Sequence, residues 1–340
     1  RSGTRSIFDG YVPAVYDFIE PRLTALSPTQ LEDFGECPQK FLLKHILGVE
    51  DLEQPEREIQ VHHRDKGTLD HRVLERFYRS LTDDDRAAAI ASLPRLPESL
   101  GEKLEILIDD AFDQHERDVP PFNTTVRGIE RRATKRILRE FVLADLADLE
   151  ANGLTPAYFE YQFGSVSKRR PNPSAPSFTV AAGNVTLRVE GTIDRIDEGE
   201  RRFRIVDYKS GKALRHDKLA EKIDRGVRLQ LALYAMAVAD IFKLDPANVS
   251  GTIKPLVTSD GKSRFGFSLQ EKQERLLETL ALFMNAIRGG LFPDFPSRDD
   301  DFDSCKYCPV NHSCRTRHDL DERYAIQQQK DPRTLLAGGA

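Results

Sequence analysis

Two carboxylates and a lysine stand close together in the strings Gly191-Thr-Ile-Asp194-Arg-Ile-Asp197 and Val206-Asp207-Tyr208-Lys209-Ser-Gly-Lys212. Hydrolysing a phosphodiester requires neutralised nonbridging oxygens, an activated water and a stabilised leaving oxyanion. Carboxylates such as Asp194 and Asp207, holding Mg2+ or Mn2+, can supply all three, with Lys209 orienting the water or damping developing charge. An isolated D-x-K in so charged a chain also reads as a hairpin with solvated charges. Around this inner string lie four cysteines, Cys37 and then Cys305, Cys308 and Cys314. Their sparse use and x2, x5 spacing fit metal ligation better than a secreted disulfide framework, and point to the cytoplasm. Four thiolates suit zinc as readily as a [4Fe-4S] cluster, and either would staple chain ends more than 260 residues apart.

These residues need elements to position them, and 39% apolar residues in 340 are enough for one large core or two small ones. Ser27 as N-cap and Pro28 at the first helical position predict a short helix, with Cys37 at its end and Pro38 opening the next. After Gly67-Thr68 a second helix is expected, in which Val73, Leu74, Phe77 and Leu81 share one arc and His71 and Glu75 lie at its edge. His71 there is either a ligand facing a cleft or a surface residue. From about 84 to 160 the pattern is helical and charged, which suggests a helical insertion before the sheet. Val185, Leu187 and Val189 alternate as a strand, and turn residues near Gly199 lead into a strand over Phe203 to Lys209. Period-2 alternation then puts Asp207 and Lys209 on one face, with Asp194 presented by the partner strand. A helix over Arg228 to Phe242 sets Gln230 and Tyr234 one turn apart, as site residues or as ordinary residues of the helix boundary.

The net charge of −5 means that any nucleic-acid contact comes from local basic surface. Arg127, Arg131, Arg132, Lys135, Arg136 and Arg139 form one candidate, to track DNA or to act as a solvated face balanced by Glu130 and Glu140. Lys168, Arg169 and Arg170, in a Pro- and Ser-rich segment that reads as a mobile loop, form another. The sequence has no apolar run of about 20 residues, no signal-peptide pattern and no G-x-x-x-x-G-K-[ST] phosphate loop. It opens on Arg1, which suggests a piece of a longer protein.

Glu190-Gly-Thr-Ile-Asp194-Arg-Ile-Asp197, Asp207-Tyr-Lys209 and Gln230-Leu-Ala-Leu-Tyr234, in this order, resemble the PD-(D/E)XK nucleases of the RecB type. Lys66-Gly-Thr-Leu-Asp-His71 looks like that family's upstream histidine motif. The cysteine pattern, Leu26-Ser-Pro-Thr-Gln-Leu-Glu-Asp-Phe-Gly-Glu-Cys37-Pro and Phe8-Asp-Gly10 look most like its iron-sulfur branch, in the AddB-type domains of bacterial helicase-nucleases. The resemblance implies an α/β, restriction-endonuclease-like core with a mixed central sheet flanked by helices. It also implies a connecting arm over 1–25, a nuclease domain over 26–320 and a tail over 321–340. His71, Asp194, Asp207 and the Tyr208 carbonyl would hold Mg2+ or Mn2+, Lys209 would assist the water, and Gln230 and Tyr234 would position phosphate or Lys209. Where the family often has Glu, this chain has Asp207, one methylene shorter. Cys37, Cys305, Cys308 and Cys314 would hold a [4Fe-4S] cluster, and Arg131, Lys135 and Arg139 would contact DNA. The implied activity is exonucleolytic processing of double-strand break ends, with a helicase motor upstream or in a partner chain. A stand-alone iron-sulfur exonuclease of the CRISPR-adaptation type and a non-cutting DNA-binding scaffold are the alternatives. Joint presence of His71, Asp194, Asp207 and Lys209 weighs against the scaffold.

Overall fold

A computed structural model describes residues 10–13, 26–50, 61, 63–166, 168, 171–182, 185–212, 221–257, 265–294, 298–299, 302–303, 305 and 308–311. Most of the expected arm, the tail over 321–340, Arg169, Arg170 and Cys314 lie outside the described residues.

Helix α1 (Pro28–Glu36) starts as its sequence predicts. Ser27 and Gln30 exchange hydrogen bonds in a capping box, Ser27 N donating to Gln30 Oε1 at 2.8 Å and Gln30 N to Ser27 Oγ at 3.3 Å. After Cys37, α2 (Pro38–Phe41) runs into a π turn over Leu42–Ile46. Helix α3 spans His63–Arg79, so Gly67 and Thr68 lie inside it rather than before it. The cost of an interior glycine, about 1 kcal/mol, is offset by full burial of Val73, Leu74 and Phe77 and by the Lys66–Asp70 ion pair one turn apart. Helices α4 (Asp83–Ala91), α5 (Glu98–Asp118) and α6 (Thr124–Asn152) follow. The helical stretch stops there, because Gly153 turns left-handed at φ +59. The expected helical character up to residue 160 gives way to strand β1 (Thr155–Phe163).

Strands β2 (Phe178–Ala182) and β3 (Val185–Val189) pair as a small separate sheet. The hairpin of β4 (Gly191–Gly199) and β5 (Arg202–Lys212) is antiparallel, with Gly199 opposite Arg202. Helix α7 (Gln230–Ile241) carries the chain to β6 (Val249–Val257), which lies parallel to β5, and β7 (Phe265–Ser268) leads into α8 (Leu269–Arg288). A two-residue pair, β8 (Arg298–Asp299) and β9 (Phe302–Asp303), follows. The result is the expected mixed sheet flanked by helices, in the order β1-β4-β5-β6-β7.

Each face of the sheet has its own apolar core. Val73, Phe77, Ile108, Phe112, Leu138 and Val142 of α3, α5 and α6 pack on Phe159, Val206 and Leu256. On the other face, Phe34 of α1, Leu233 of α7 and Phe283 of α8 pack on Ile193, Ile196 and Ile205. Burial of each such side chain contributes roughly 1.5–3 kcal/mol. Phe41 stacks on Phe292 with centroids 6.3 Å apart, and Gln39 N donates to Pro293 O at 3.3 Å, so the first helices and the segment after α8 are neighbours. No helix among the described residues is long and apolar enough to cross a membrane.

Candidate metal centre

The open end of the β4–β5 hairpin lies where both strands beside it lose their alternation. Phe159 packs under α3 and α6 whereas Phe163 packs in the core on the other face, although residues four apart on a regular strand point the same way. The switch is made by Glu160, whose φ of +46 is left-handed. That conformation costs a non-glycine residue about 1–3 kcal/mol and clusters at functional sites. On β4, Ile193 and Ile196 belong to the same core although they are three apart, so β4 skips as well. Because Phe159 pairs with Arg195 and Tyr161 with Ile193, the two interruptions lie opposite one another. Glu160 and Asp194 are thereby aimed at one point.

His71 on α3 completes this point. Its Nδ1 lies 3.5 Å from Asp194 Oδ1, and one ligand atom from each of His71, Glu160 and Asp194 falls within 4.8 Å of the others. The imidazole rests edge-on against Tyr208 at 5.5 Å, which sets the ring's direction. Tyr208 also donates its backbone N–H to Asp194 Oδ2 at 2.8 Å. Behind Lys209, Ser210 Oγ donates to Asp70 Oδ2 at 3.1 Å and ties the end of β5 to the start of α3.

Asp207 and Lys209 share a face as period 2 demands and form an ion pair at 2.7 Å. Gln230, the first residue of α7, donates to Asp207 Oδ1 at 3.4 Å. Tyr234, one turn on, lies close against the start of β4. A Cβ on Gly191 would fall 2.5 Å from Tyr234 Cε1, so only glycine admits the ring at this distance. The expected residues therefore gather as His71 with Asp194 on one side and Asp207, Lys209 and Gln230 on the other, Tyr234 bracing β4 between them.

The electrostatics leave negative charge over. Burial, and then the nearby Asp207, push Asp194 up to about 6 against the pull of His71, the Tyr208 N–H and Lys209. Burial, and then Asp194 and Glu75, push Glu160 up to about 7. Burial works against the Lys209 ammonium, but Asp207 overrides it and holds Lys209 above the usual lysine range. A set of carboxylate oxygens with one imidazole, short of positive charge, fits a hard divalent cation such as Mg2+ or Mn2+. Sequence reasoning missed Glu160. Its signal was the aromatic alternation of Tyr158, Phe159, Tyr161 and Phe163, which favours a strand but is masked by Pro156 and the break at Glu160 itself.

Two other groups of expected residues are placed differently. Arg131, Lys135 and Arg139 face α5: Arg131 Nη2 reaches Asp113 at 2.7 Å and Glu116 at 3.0 Å, Lys135 reaches Asp109 at 2.7 Å, and Arg139 reaches Glu105 at 3.8 Å. Their charge is thus matched within the fold. Cys37 terminates α1, its N–H donating to Asp33 O at 3.1 Å, while Cys305 and Cys308 share a turn with Cys308 N donating to Cys305 O at 3.3 Å. All three are half-buried. Cys314 lies outside the described residues, and among those described the group of possible metal ligands within 4.8 Å of one another is that of His71, Glu160 and Asp194.

The sequence matches the PD-(D/E)XK nuclease superfamily over residues 25–315. It is 26% identical over 231 residues to an ATP-dependent helicase/deoxyribonuclease subunit from Clostridioides difficile, covering 66% of this chain and 18% of that one. The protein of the same name from Carboxydothermus hydrogenoformans is 23% identical over 386 residues, covering 92% of this chain and 33% of that one. That of Moorella thermoacetica is 28% identical over 253 residues, covering 70% and 20%. The chain thus spans between 18% and 33% of the length of these relatives.

Proposed function

The chain belongs to the PD-(D/E)XK nuclease superfamily, and from that premise we propose that its hairpin site hydrolyses DNA phosphodiester bonds with a divalent cation. The observation that carries this reading is the surplus of carboxylate: Glu160 and Asp194 converge on His71, and burial together with the nearby Asp207 pushes Asp194 up to about 6. His71, Glu160, Asp194 and Asp207, with the Tyr208 carbonyl, would hold Mg2+ or Mn2+. Bound there, such an ion neutralises phosphate oxygens and makes water a better nucleophile. Lys209 orients that water and damps charge on the phosphate, Gln230 fixes the Asp207 carboxylate, and Tyr234 keeps β4 in register.

By its likeness to these helicase/deoxyribonuclease proteins, the chain serves as the exonuclease domain of a helicase-nuclease, and its DNA strand is delivered by a motor elsewhere in a longer protein or in a partner chain. Such a machine trims double-strand break ends for recombinational repair. Cys37, Cys305, Cys308 and Cys314 then hold a [4Fe-4S] cluster, with zinc as the other occupant. The contact between Phe41 and Phe292 favours this clasp, since it brings the segment bearing Cys37 beside the one leading to Cys305.

The test is cleavage of end-labelled single- and double-stranded DNA with and without Mg2+ or Mn2+, beside metal analysis of anaerobically purified protein. Cleavage that requires the metal and falls at least about a hundredfold in Asp207→Ala and Lys209→Ala supports the assignment. Undiminished cleavage in either variant overturns it. About four irons per chain support the cluster; zinc refutes the cluster and keeps the clasp.

A further inference from the structure

Helix α7 supplies no cap of its own. Leu229, at its N-cap, is already helical (φ −104, ψ −22) and makes no side-chain hydrogen bond to the first turn. An apolar helix whose residues Leu231–Ala239 are buried still has to satisfy its leading N–H groups. Two amides at this end are met by Glu32, about 200 residues earlier on α1: its Oε1 accepts from Leu229 N at 2.7 Å and from Gln230 N at 2.8 Å. A carboxylate at this end of the helix also meets the positive pole of the helix dipole. Arg228 Nη1 lies 4.0 Å from Glu32 and 2.9 Å from Glu36, so Glu32 is held from the side as well.

One of the two amides held by Glu32 is that of Gln230, whose side chain donates to Asp207 Oδ1. A chain of direct contacts therefore runs from α1 through Glu32, the first residue of α7 and the Gln230 amide to a carboxylate of the metal centre. We propose that Glu32 is a positioning residue for the metal centre, fixing the start of α7 and through Gln230 the orientation of Asp207. The inference rests on the nuclease reading of the site, though its central claim concerns metal binding. It also gives a reason for α1 to pack against α7.

The test uses the full chain with Glu32→Ala, Glu32→Gln, Gln230→Ala and the double variant Glu32→Ala/Gln230→Ala. Amide hydrogen exchange at the start of α7, Mn2+ binding followed by electron paramagnetic resonance, and DNA cleavage are read in parallel. Glu32→Ala is expected to speed exchange at residues 229 and 230 by about tenfold or more and to weaken Mn2+ binding by about three- to tenfold. Glu32→Gln keeps an accepting oxygen in the same place and recovers most of both. In the Gln230→Ala background, Glu32→Ala is expected to weaken Mn2+ binding by less than about twofold further, because the route through Gln230 is already cut. Faster exchange with unchanged Mn2+ affinity, or full additivity in the double variant, overturns the proposal by reducing Glu32 to a helix cap. If Glu32→Ala does not fold, Glu32→Asp replaces it, one methylene too short to reach both amides. Absence of cleavage by the parent protein would count against the nuclease reading alone, since exchange and Mn2+ affinity still judge Glu32.

Discussion

Adjacent residues of the β4–β5 hairpin feed two charge clusters of opposite character. Arg195, next to Asp194, turns into a network beneath α6, and Tyr208, next to Asp207, reaches it with its hydroxyl while its ring rests against His71. In that network Arg195 Nη1 bonds Asp145 at 2.6 Å and the Tyr208 hydroxyl at 2.8 Å, Arg204 bonds Asp148 at 2.8 Å and Asp197 at 2.9 Å, and Lys254 bonds Asp148 at 2.9 Å and also pairs with Asp145. Three carboxylates, Asp145, Asp148 and Asp197, meet three cations, Arg195, Arg204 and Lys254. Burial of Asp145 alone would raise its pKa, but Arg195 and Lys254 hold it far below the usual carboxylate range. The metal centre is built from the same residue types and is not balanced. There Glu160 lies near Asp194 and Glu75, Asp194 near Asp207, with Arg79 paired to Glu75 and Lys209 to Asp207, and both Asp194 and Glu160 are pushed up. A charge-matched network is a scaffold, whereas a carboxylate surplus at a strand break asks for a cation from outside.

That contrast predicts opposite signs for the same substitution in the two clusters. Asp145→Asn leaves Arg195 and Lys254 buried beside a neutral amide and should cost about 3–5 kcal/mol, read as a fall in the urea midpoint. Asp194→Asn should instead leave the metal-free protein as stable or more so, because it removes repulsion with Asp207 and Glu160. Its cleavage should fall at least about a hundredfold, or about 2.7 kcal/mol of barrier. Equal destabilisation by the two changes would erase the distinction between scaffold and site.

Much of this arrangement is legible in the sequence because it follows local rules. Ser27 and Pro28 start α1, period 2 puts Asp207 beside Lys209, and the helical period puts Gln230 and Tyr234 on one side. The rest is decided by contacts across the chain. Asp145 and Asp148 sit in a charged helix and read as solvent-facing until Arg195, Arg204 and Lys254 arrive from three strands. Glu32 looks like one more acid between Leu31 and Asp33, and only the missing cap of α7 gives it a task. Glu160 escaped because the left-handed residue that aims it also breaks the alternation by which a strand is recognised.

The two clusters should also part in their response to pH. Asp194 near 6 and Glu160 near 7 lie above their unfolded values of about 3.9 and 4.3, so between those limits the folded chain binds more protons than the unfolded one. Stability of the metal-free protein should therefore fall as pH rises from about 4 to about 7 and then level off. Mn2+ competes with the same protons, so its stabilisation of the fold should grow through that window and be greatest above about 7. Thermal melts in chelator and in Mn2+ at pH 5, 6, 7 and 8 measure both. Asp145, held far below this range, should add stability only as pH rises through its unfolded value of about 3.9, and nothing to either slope above about pH 5.

The smallest effects are expected where charges are matched at the surface rather than in the interior. Arg131, Lys135 and Arg139 lie against Asp113, Glu116, Asp109 and Glu105 with between 24% and 44% of their side chains exposed. Exposed ion pairs of this kind contribute about 0–1 kcal/mol each. Each single change to Ala should then lower stability by no more than about that amount. Because the positive charges are already paired with α5, each should also weaken DNA binding less than about twofold at 0.15 M salt, and barely alter the slope of affinity against salt. A slope that drops by about one per residue removed would instead mean that phosphate displaces the α5 carboxylates. In that event α6 would be a working DNA surface, and its balance of charge a resting state of the free protein.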